Sequence, residues 1–131
     1  MEFITVEQFQ EQPKEVQKVF LDWWQPSTGD WYMREDVVDL WTGRKGKVLS
    51  YVRGEYEKEV IVNRNLICPL FMEGQLRKFI EDMRGKIVEI NLFCGGYSIV
   101  TAYRKCEFGN LGKDLLQAYW KVACKIAKEE K

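Results

Sequence analysis

The chain has 131 residues, a length that predicts one domain over residues 1–131, able to bury roughly two-thirds of the surface of its unfolded chain. It carries 20 basic and 20 acidic residues, so it lacks the net charge that draws a protein to nucleic acid or to anionic membranes. Because histidine is absent, Ser-His-Asp and Cys-His catalysis and histidine metal ligation are excluded.

The N-terminal part of the sequence predicts two helices. The first begins at Thr5–Gln8, which matches a capping box in which the Thr5 hydroxyl and the Gln8 side chain satisfy free backbone amides. The second covers Lys14–Trp24, with Pro13 at a first helical position that tolerates proline. Its apolar residues recur every three or four positions and form one stripe that is expected to be buried: Val16, Val19, Phe20, Trp23 and Trp24.

The middle of the chain predicts strands. Segments rich in valine and aromatic residues, separated by polar or glycine-containing breaks, are typical of an antiparallel sheet. A further hairpin is expected where two alternating segments are joined by Gly95-Gly96, since glycine takes the positive φ angles of a tight turn. The predicted strands are Asp30–Met33, Val37–Trp41, Lys47–Arg53, Glu59–Asn63, Lys86–Phe93 and Tyr97–Arg104.

Two longer helices are predicted in the second half. One covers Glu73–Met83, followed by Gly85 as a left-handed C-cap. The other covers Leu111–Lys128, with Asn110 as its cap and the longest apolar stripe of the chain. The predicted fold is therefore α+β, with an antiparallel sheet of about five strands packed against about three helices in a single layered domain.

The stretch Leu21–Tyr32 (LDWWQPSTGDWY) contains four large aromatic rings. Trp23 completes the apolar stripe of its helix and Trp24 extends the edge of that stripe, while adjacent residues of a strand must face opposite ways. We expect most of these rings to build the core, since tryptophan fills the core of a small domain at low entropic cost. An exposed remainder would favour a protein partner.

The most function-like cluster of the sequence surrounds the segment TGRKGK at 42–47. This segment is not a P-loop, because its second glycine comes two residues early and a valine replaces the hydroxyl residue. We expect a basic β-turn whose cations meet a phosphate or an acidic partner beside a stacking ring; a solvated turn is the alternative. The candidate binding residues are Trp41, Arg44, Lys45, Lys47 and Arg53.

Other reactive side chains give no site. Carboxylates cluster at 35–39 and at 55–59, where solvated segments are favoured over a metal site, and no catalytic residue, metal or cofactor is predicted. No cysteine pair has C-x-x-C spacing, so we expect buried free thiols and a reducing compartment. With no secretory signal at the N-terminus and no bilayer-length apolar run, the predicted location is the cytoplasm. The cysteines are Cys68, Cys94, Cys106 and Cys124.

Three stretches carry a resemblance to known sequences: Pro13–Trp24 (PKEVQKVFLDWW), Cys68–Asp82 (CPLFMEGQLRKFIED) and Asp114–Ala123 (DLLQAYWKVA). In this order they resemble small uncharacterised accessory proteins of bacteriophages and prophages of Gram-positive bacteria. In that group threonine often precedes EGQL as a helix cap, whereas here Met72 stands at that position. The resemblance implies a host-cell location and a layered sandwich fold, and it implies no catalytic residues.

The leading hypothesis is a non-enzymatic phage accessory protein that binds a host protein or protein complex, with a defence system such as a CRISPR effector as a candidate target. The alternative is a small-ligand protein that sequesters a nucleotide signal by stacking it on Trp41. Binding of nucleic acid is disfavoured by charge neutrality, and an enzyme ranks last. An exposed apolar patch would indicate a protein interface, and a closed pocket holding Trp41 would indicate a ligand. The sequence leaves the oligomeric state open.

Overall fold

The computed structural model describes residues 2–54, 60, 67–102 and 107–130, without the side chains of 36–38 and 130. Within these residues four helices and six strands follow the chain, and the predicted α+β class is confirmed. In chain order they are α1 (Val6–Gln10), α2 (Lys14–Trp23), β1 (Trp31–Asp39), β2 (Arg44–Tyr51), β3 (Cys68–Pro69), α3 (Glu73–Arg84), β4 (Ile87–Phe93), β5 (Gly96–Thr101), β6 (Glu107–Phe108) and α4 (Leu115–Glu130).

The strands form two antiparallel three-stranded sheets, in the orders β2-β1-β3 and β4-β5-β6. The prediction of one sheet of about five strands is therefore wrong. Each sheet is built on its own local hairpin, and among the described residues the short third strands, β3 and β6, extend these hairpins without joining them. Apart from Val60, the predicted strand Glu59–Asn63 lies outside the described residues.

The N-terminal capping box is confirmed. The Gln8 amide donates to Thr5 Oγ1, and the Thr5 amide donates to Gln8 Oε1, both at 3.1 Å. Pro13 occupies the cap position just before α2, with φ −55° and ψ 152°, so the helix begins one residue later than the proline-at-first-position prediction. Proline fits there because a cap residue takes extended backbone angles, and because proline has no backbone amide that would be left unpaired.

The two adjacent tryptophans exchange the places predicted for them. Helix α2 ends at Trp23, and Trp24 continues with extended angles of φ −64° and ψ 120°, which turn its ring into the core. The Trp24 indole donates to Asp30 Oδ2 at 3.1 Å. Trp23 lies at the edge of the core and donates to Asp82 Oδ2 at 2.8 Å, a bond that lowers the pKa of this carboxyl. Helix α2 therefore ends one residue before the last residue of the predicted apolar stripe, Trp24.

Aromatic rings from all four helices form the centre of the core. Phe20 of α2 is fully buried, and its ring centroid lies 4.7 Å from that of Phe79 in α3 and 5.1 Å from that of Trp120 in α4. Phe71, just before α3, and Phe9 of α1 lie at 5.7 Å and 6.3 Å from Phe20. Such tilted and stacked pairs stabilise a core beyond the area that they bury.

The second hairpin has its turn at Cys94-Gly95, one residue before the predicted Gly95-Gly96. Gly96 belongs to β5 and pairs with Phe93. It also bridges to Gly112, whose carbonyl accepts from the Tyr97 amide at 2.7 Å. Since Gly96 has φ 118° and no Cβ, two backbones approach here more closely than any other residue would allow.

This approach also delays the last helix. Leu111 and Gly112 form backbone hydrogen bonds with Tyr97 of β5, and α4 begins at Leu115 and not at Leu111. Its cap is Asp114, whose Oδ1 accepts from the Gln117 amide at 3.1 Å. The predicted cap, Asn110, instead takes a left-handed φ of 55°, a conformation that asparagine tolerates.

Helix α3 begins with half of a capping box. Gln75 Oε1 accepts from the Met72 amide at 2.8 Å, but Met72 gives the helix no side-chain hydrogen bond in return. Gly85 follows the helix with φ 79° and ψ 177°; its positive φ agrees with the predicted C-cap glycine, although its ψ is extended.

Threonine at position 72 is expected to complete this box. Met72 has extended cap angles of φ −96° and ψ 168°, so a threonine hydroxyl there accepts from the Gln75 amide. We expect Met72→Thr to raise the free energy of unfolding by about 1 kcal/mol and the melting temperature by about 3 °C. Met72→Val has the same shape without the hydroxyl, so equal melting temperatures of the two variants would contradict the capping explanation.

Candidate binding surface

The first hairpin, formed by β1 and β2, carries the predicted candidate residues. Its register runs from Trp31 opposite Tyr51 to Asp39 opposite Arg44, with an irregularity between Val37 and Asp39. The turn lies at residues 40–43 and uses Gly43 at φ 69°.

Two predictions for this segment are wrong. Strand β1 is continuous through 34–36, where a break between two strands was expected. Of the residues expected in a basic β-turn, 42–47, Thr42 and Gly43 lie in the turn, while Arg44 to Lys47 lie in strand β2, which was predicted to begin at Lys47. In the register of the two strands, Glu35 lies across from Lys47 and Asp39 across from Arg44, so opposite charges face each other along the hairpin.

Two large apolar residues, Leu40 and Trp41, occupy the tip of this hairpin. Their side chains are 92% and 98% exposed. The turn that carries them is held by hydrogen bonds: the Trp41 amide donates to Asp39 Oδ1 at 3.0 Å and the Gly43 amide to the Asp39 carbonyl at 2.9 Å. A hydrogen-bonded turn thus presents a leucine side chain and an indole ring to solvent.

Beyond the tip, one face of β2 changes from charged to apolar along the strand. Lys45, Lys47, Leu49 and Tyr51 share this face, because residues two apart along a strand point the same way. Leu49 and Tyr51 are 48% and 44% exposed, and the Tyr51 ring also contacts Trp31, with 5.4 Å between ring centroids. The hairpin therefore offers an apolar tip, then two cations, then a half-exposed apolar pair.

The five candidate residues follow the length of the hairpin and do not converge on one pocket. Trp41 is at the tip, and its exposure leaves no room for an enclosing wall. Arg44 and Lys45 are exposed just behind it. Arg53 lies beyond the far end of β2, with its guanidinium 5.3 Å from the centroid of the Tyr51 ring. Lys47 lines a cleft.

This cleft has a volume of about 190 Å³ and lies between the hairpin and helices α1 and α2. Gln17 of α2 braces its helical wall, because its Nε2 donates at 2.8 Å to the carbonyl of Gln12 in the α1–α2 connection. The lining is part apolar and part polar: Val6, Phe9, Gln10, Lys14, Gln17, Leu21, Met33, Arg34, Glu35, Lys47, Ile67 and Cys68.

The cysteines divide by exposure. Burial raises the pKa of the Cys68 and Cys124 thiols to about 12, so both stay protonated at neutral pH. Cys94 was expected to be buried, but it is exposed because it lies in the turn between β4 and β5. Cys106 lies outside the described residues.

Within the described residues, both a metal site and a membrane-spanning helix are absent. In this part of the chain no three thiol or carboxylate side chains lie close enough together to hold a metal ion, and the carboxylates of 55–59 fall outside it. No helix among the same residues combines the length and the apolar character needed to cross a bilayer.

Sequence reasoning missed several parts of this surface. Leu40 was given no role, yet an apolar pair directly before Thr42-Gly43 is a signal, since a turn cannot bury both side chains. The exposed Val88, Leu92 and Phe93 of the second hairpin carry no such signal.

Comparisons with protein-family models, with curated proteins and with solved structures found no match to this chain.

Proposed function

We propose that this chain is a non-enzymatic binding protein that docks a protein partner through the tip of the β1–β2 hairpin. The observation that carries the proposal is the exposure of Leu40 and Trp41, 92% and 98%, on a turn fixed by its own hydrogen bonds. Tryptophan is enriched among the residues that dominate protein interfaces, and a rigid turn loses little freedom on binding.

The tip has no structural role that explains its composition. Neither Leu40 nor Trp41 belongs to the core or packs against it. A solvent-exposed turn tolerates serine or asparagine without loss of stability, so two large apolar residues there favour a function outside the fold. Arg44 and Lys45 flank the tip, which favours a partner surface that carries carboxylates.

The nature of the partner follows from the sequence. The resemblance to accessory proteins of phages and prophages supports a host protein or protein complex as the target, with a defence system such as a CRISPR effector as one candidate. Sequestration of a nucleotide signal has weaker support. The Trp41 side chain is so exposed that no pocket around it could enclose a base stacked on its ring. Stabilisation by a nucleotide in a thermal-shift panel would favour that alternative.

The double variant Leu40→Ser/Trp41→Ser separates binding from folding. We expect its free energy of unfolding to stay within about 0.5 kcal/mol of the wild type, since both side chains are exposed. We expect it to lose at least tenfold in affinity for a partner that the wild type captures from a Gram-positive host lysate, which corresponds to about 1.4 kcal/mol.

A matched control is available in the second hairpin. Val88 and Phe93 are 60% and 61% exposed, so Val88→Ser/Phe93→Ser removes comparable apolar surface elsewhere on the molecule. This control should keep the partner. Equal retention of the partner by both double variants, or no specific partner for the wild type at near-physiological salt, would reject the hairpin tip as the docking element.

A further inference from the structure

We infer that the cleft between the β1–β2 hairpin and helices α1 and α2 binds one apolar side chain of an acidic peptide segment. The inference rests on the proposed function, because it assigns this segment to the partner that the hairpin tip contacts. Three properties of the cleft support it: its floor, its size and the charge at its rim.

The floor of the cleft is apolar and preformed. Val6 and Phe9 of α1 and Leu21 of α2 face Met33 of the hairpin across it. The protonated thiol of Cys68 adds a further weakly polar surface. Gln17 helps to hold the connection between α1 and α2 in place, which lowers the cost of ordering the helical wall when a ligand binds.

The size of the cleft limits what enters it. Its volume is about 190 Å³. Pockets that enclose a small-molecule ligand usually begin at about 300 Å³, so a nucleotide exceeds this space. A single side chain of leucine size fits it, with the rest of the ligand outside.

The rim of the cleft is cationic. Lys14 and Lys47 line it, and in the described part of the chain neither ammonium forms an ion pair. Glu35 lies opposite Lys47 in the strand register, yet these two side chains form no salt bridge. Arg34 also lines the cleft, and its Nε donates to Ser50 Oγ at 3.0 Å. Among the described residues that line the cleft, these three cations outnumber the carboxylate of Glu35, and the carboxylate of Glu7 also acts on the Cys68 thiol.

An apolar residue with acidic neighbours satisfies both regions at once. Its side chain covers the floor, and the flanking carboxylates meet the ammonium groups of Lys14 and Lys47. Basic flanking residues would place like charges together, which costs affinity. A peptide segment fits better than a free small acid, because two separate cations at the rim match carboxylates on both sides of the apolar residue.

The methyl groups of methionine report on this site directly. The chain has four methionines, of which Met33 lines the cleft, whereas Met72 and Met83 do not. With the full chain labelled at the methionine methyl carbon, the probe is the peptide Ac-Glu-Leu-Glu-NH2. We expect a saturable shift of the Met33 signal at peptide concentrations up to about 10 mM, which detects dissociation constants near 1 mM, while Met72 and Met83 keep their positions.

Three further ligands decide between explanations. Ac-Glu-Gly-Glu-NH2 should leave Met33 unshifted, and Ac-Lys-Leu-Lys-NH2 should bind at least tenfold more weakly than the acidic peptide. Binding of 4-methylpentanoate without binding of the acidic peptide would overturn the inference in favour of a small carboxylic acid. Equal binding of the acidic and basic peptides, or no shift of Met33 with either, would also overturn it.

Variants separate this inference from the proposed function. Lys47→Glu should lower the affinity for the acidic peptide about tenfold, because it replaces attraction between opposite charges with repulsion between like charges. Lys125→Glu makes the same charge change at an exposed site on α4 outside the cleft and should have no effect. Leu40→Ser/Trp41→Ser should still bind the peptide even where it loses the partner. If the wild-type chain binds its partner but not the acidic peptide, the inference about the cleft is contradicted and the proposed function is not.

Discussion

Replacing Phe20 by alanine is expected to lower the free energy of unfolding by about 4 kcal/mol. Phe20 is fully buried, and its ring contacts aromatic rings from α1, α3 and α4 as well as Phe71. Removing it leaves a cavity at the one point where all these elements meet, and the surrounding rings are too rigid to collapse into it. Urea denaturation followed by circular dichroism measures the change.

Phe20→Leu serves as the control for this prediction. It keeps most of the apolar volume and should cost less than about 1.5 kcal/mol. A loss below about 1 kcal/mol for the alanine variant would mean that Phe20 is not central to the core, and the packing of the four helices described above would need revision.

Replacing Gly96 by alanine is expected to be about as damaging. A Cβ there would lie 2.6 Å from the Gly112 amide nitrogen and 2.7 Å from its carbonyl oxygen, closer than real Cβ atoms approach backbone. The φ of 118° adds backbone strain for any residue with a side chain. Together the clash and the strain should cost about 4 kcal/mol of unfolding free energy, measured by urea denaturation.

A second glycine isolates the two causes. Gly29 has φ 97°, and in the described part of the chain no atom beyond its two sequence neighbours lies within 4 Å of where a Cβ would stand. Gly29→Ala therefore carries the backbone strain without the clash and should cost only about 1 to 2 kcal/mol. If the two alanine variants lose the same stability, the close approach of β5 to the segment before α4 does not exist in solution.

The helices were largely predictable because their signals are local. The Thr5–Gln8 capping box, the stripe of α2 and the stripe of α4 each depend on residues a few positions apart. Where these predictions fail, a contact with a residue outside the helix accompanies the difference. Asp30 accepts the Trp24 indole after the helix has ended, and Gly96 claims the residues that precede α4.

The sheets were less predictable because strand pairing is not local. Alternation identified most of β2, β4 and β5, but it does not say which strands share an edge, so one sheet was expected where the described residues form two. The polar run Arg34–Asp36 suggested a break between strands. It instead continues β1, where it pairs with Val48 to Gly46 across the hairpin.

The candidate surface was predictable in part. A tryptophan beside a basic segment identified Trp41, Arg44, Lys45 and Lys47 as residues of one local region. Sequence could not place Trp41 at a tip, because this depends on the register that makes residues 40–43 the turn. The cleft was beyond reach for the same reason, since its walls come from segments far apart in the chain.

In the proposed function, the buried aromatic rings build the scaffold and the exposed Trp41 contacts the partner. Incorporating 5-fluorotryptophan gives one fluorine signal for each of the five tryptophans. When a partner captured from the lysate is added, the Trp41 signal should shift or broaden, while those of the buried Trp24 and Trp120 keep their positions. An unchanged Trp41 signal in the presence of saturating partner would contradict the claim.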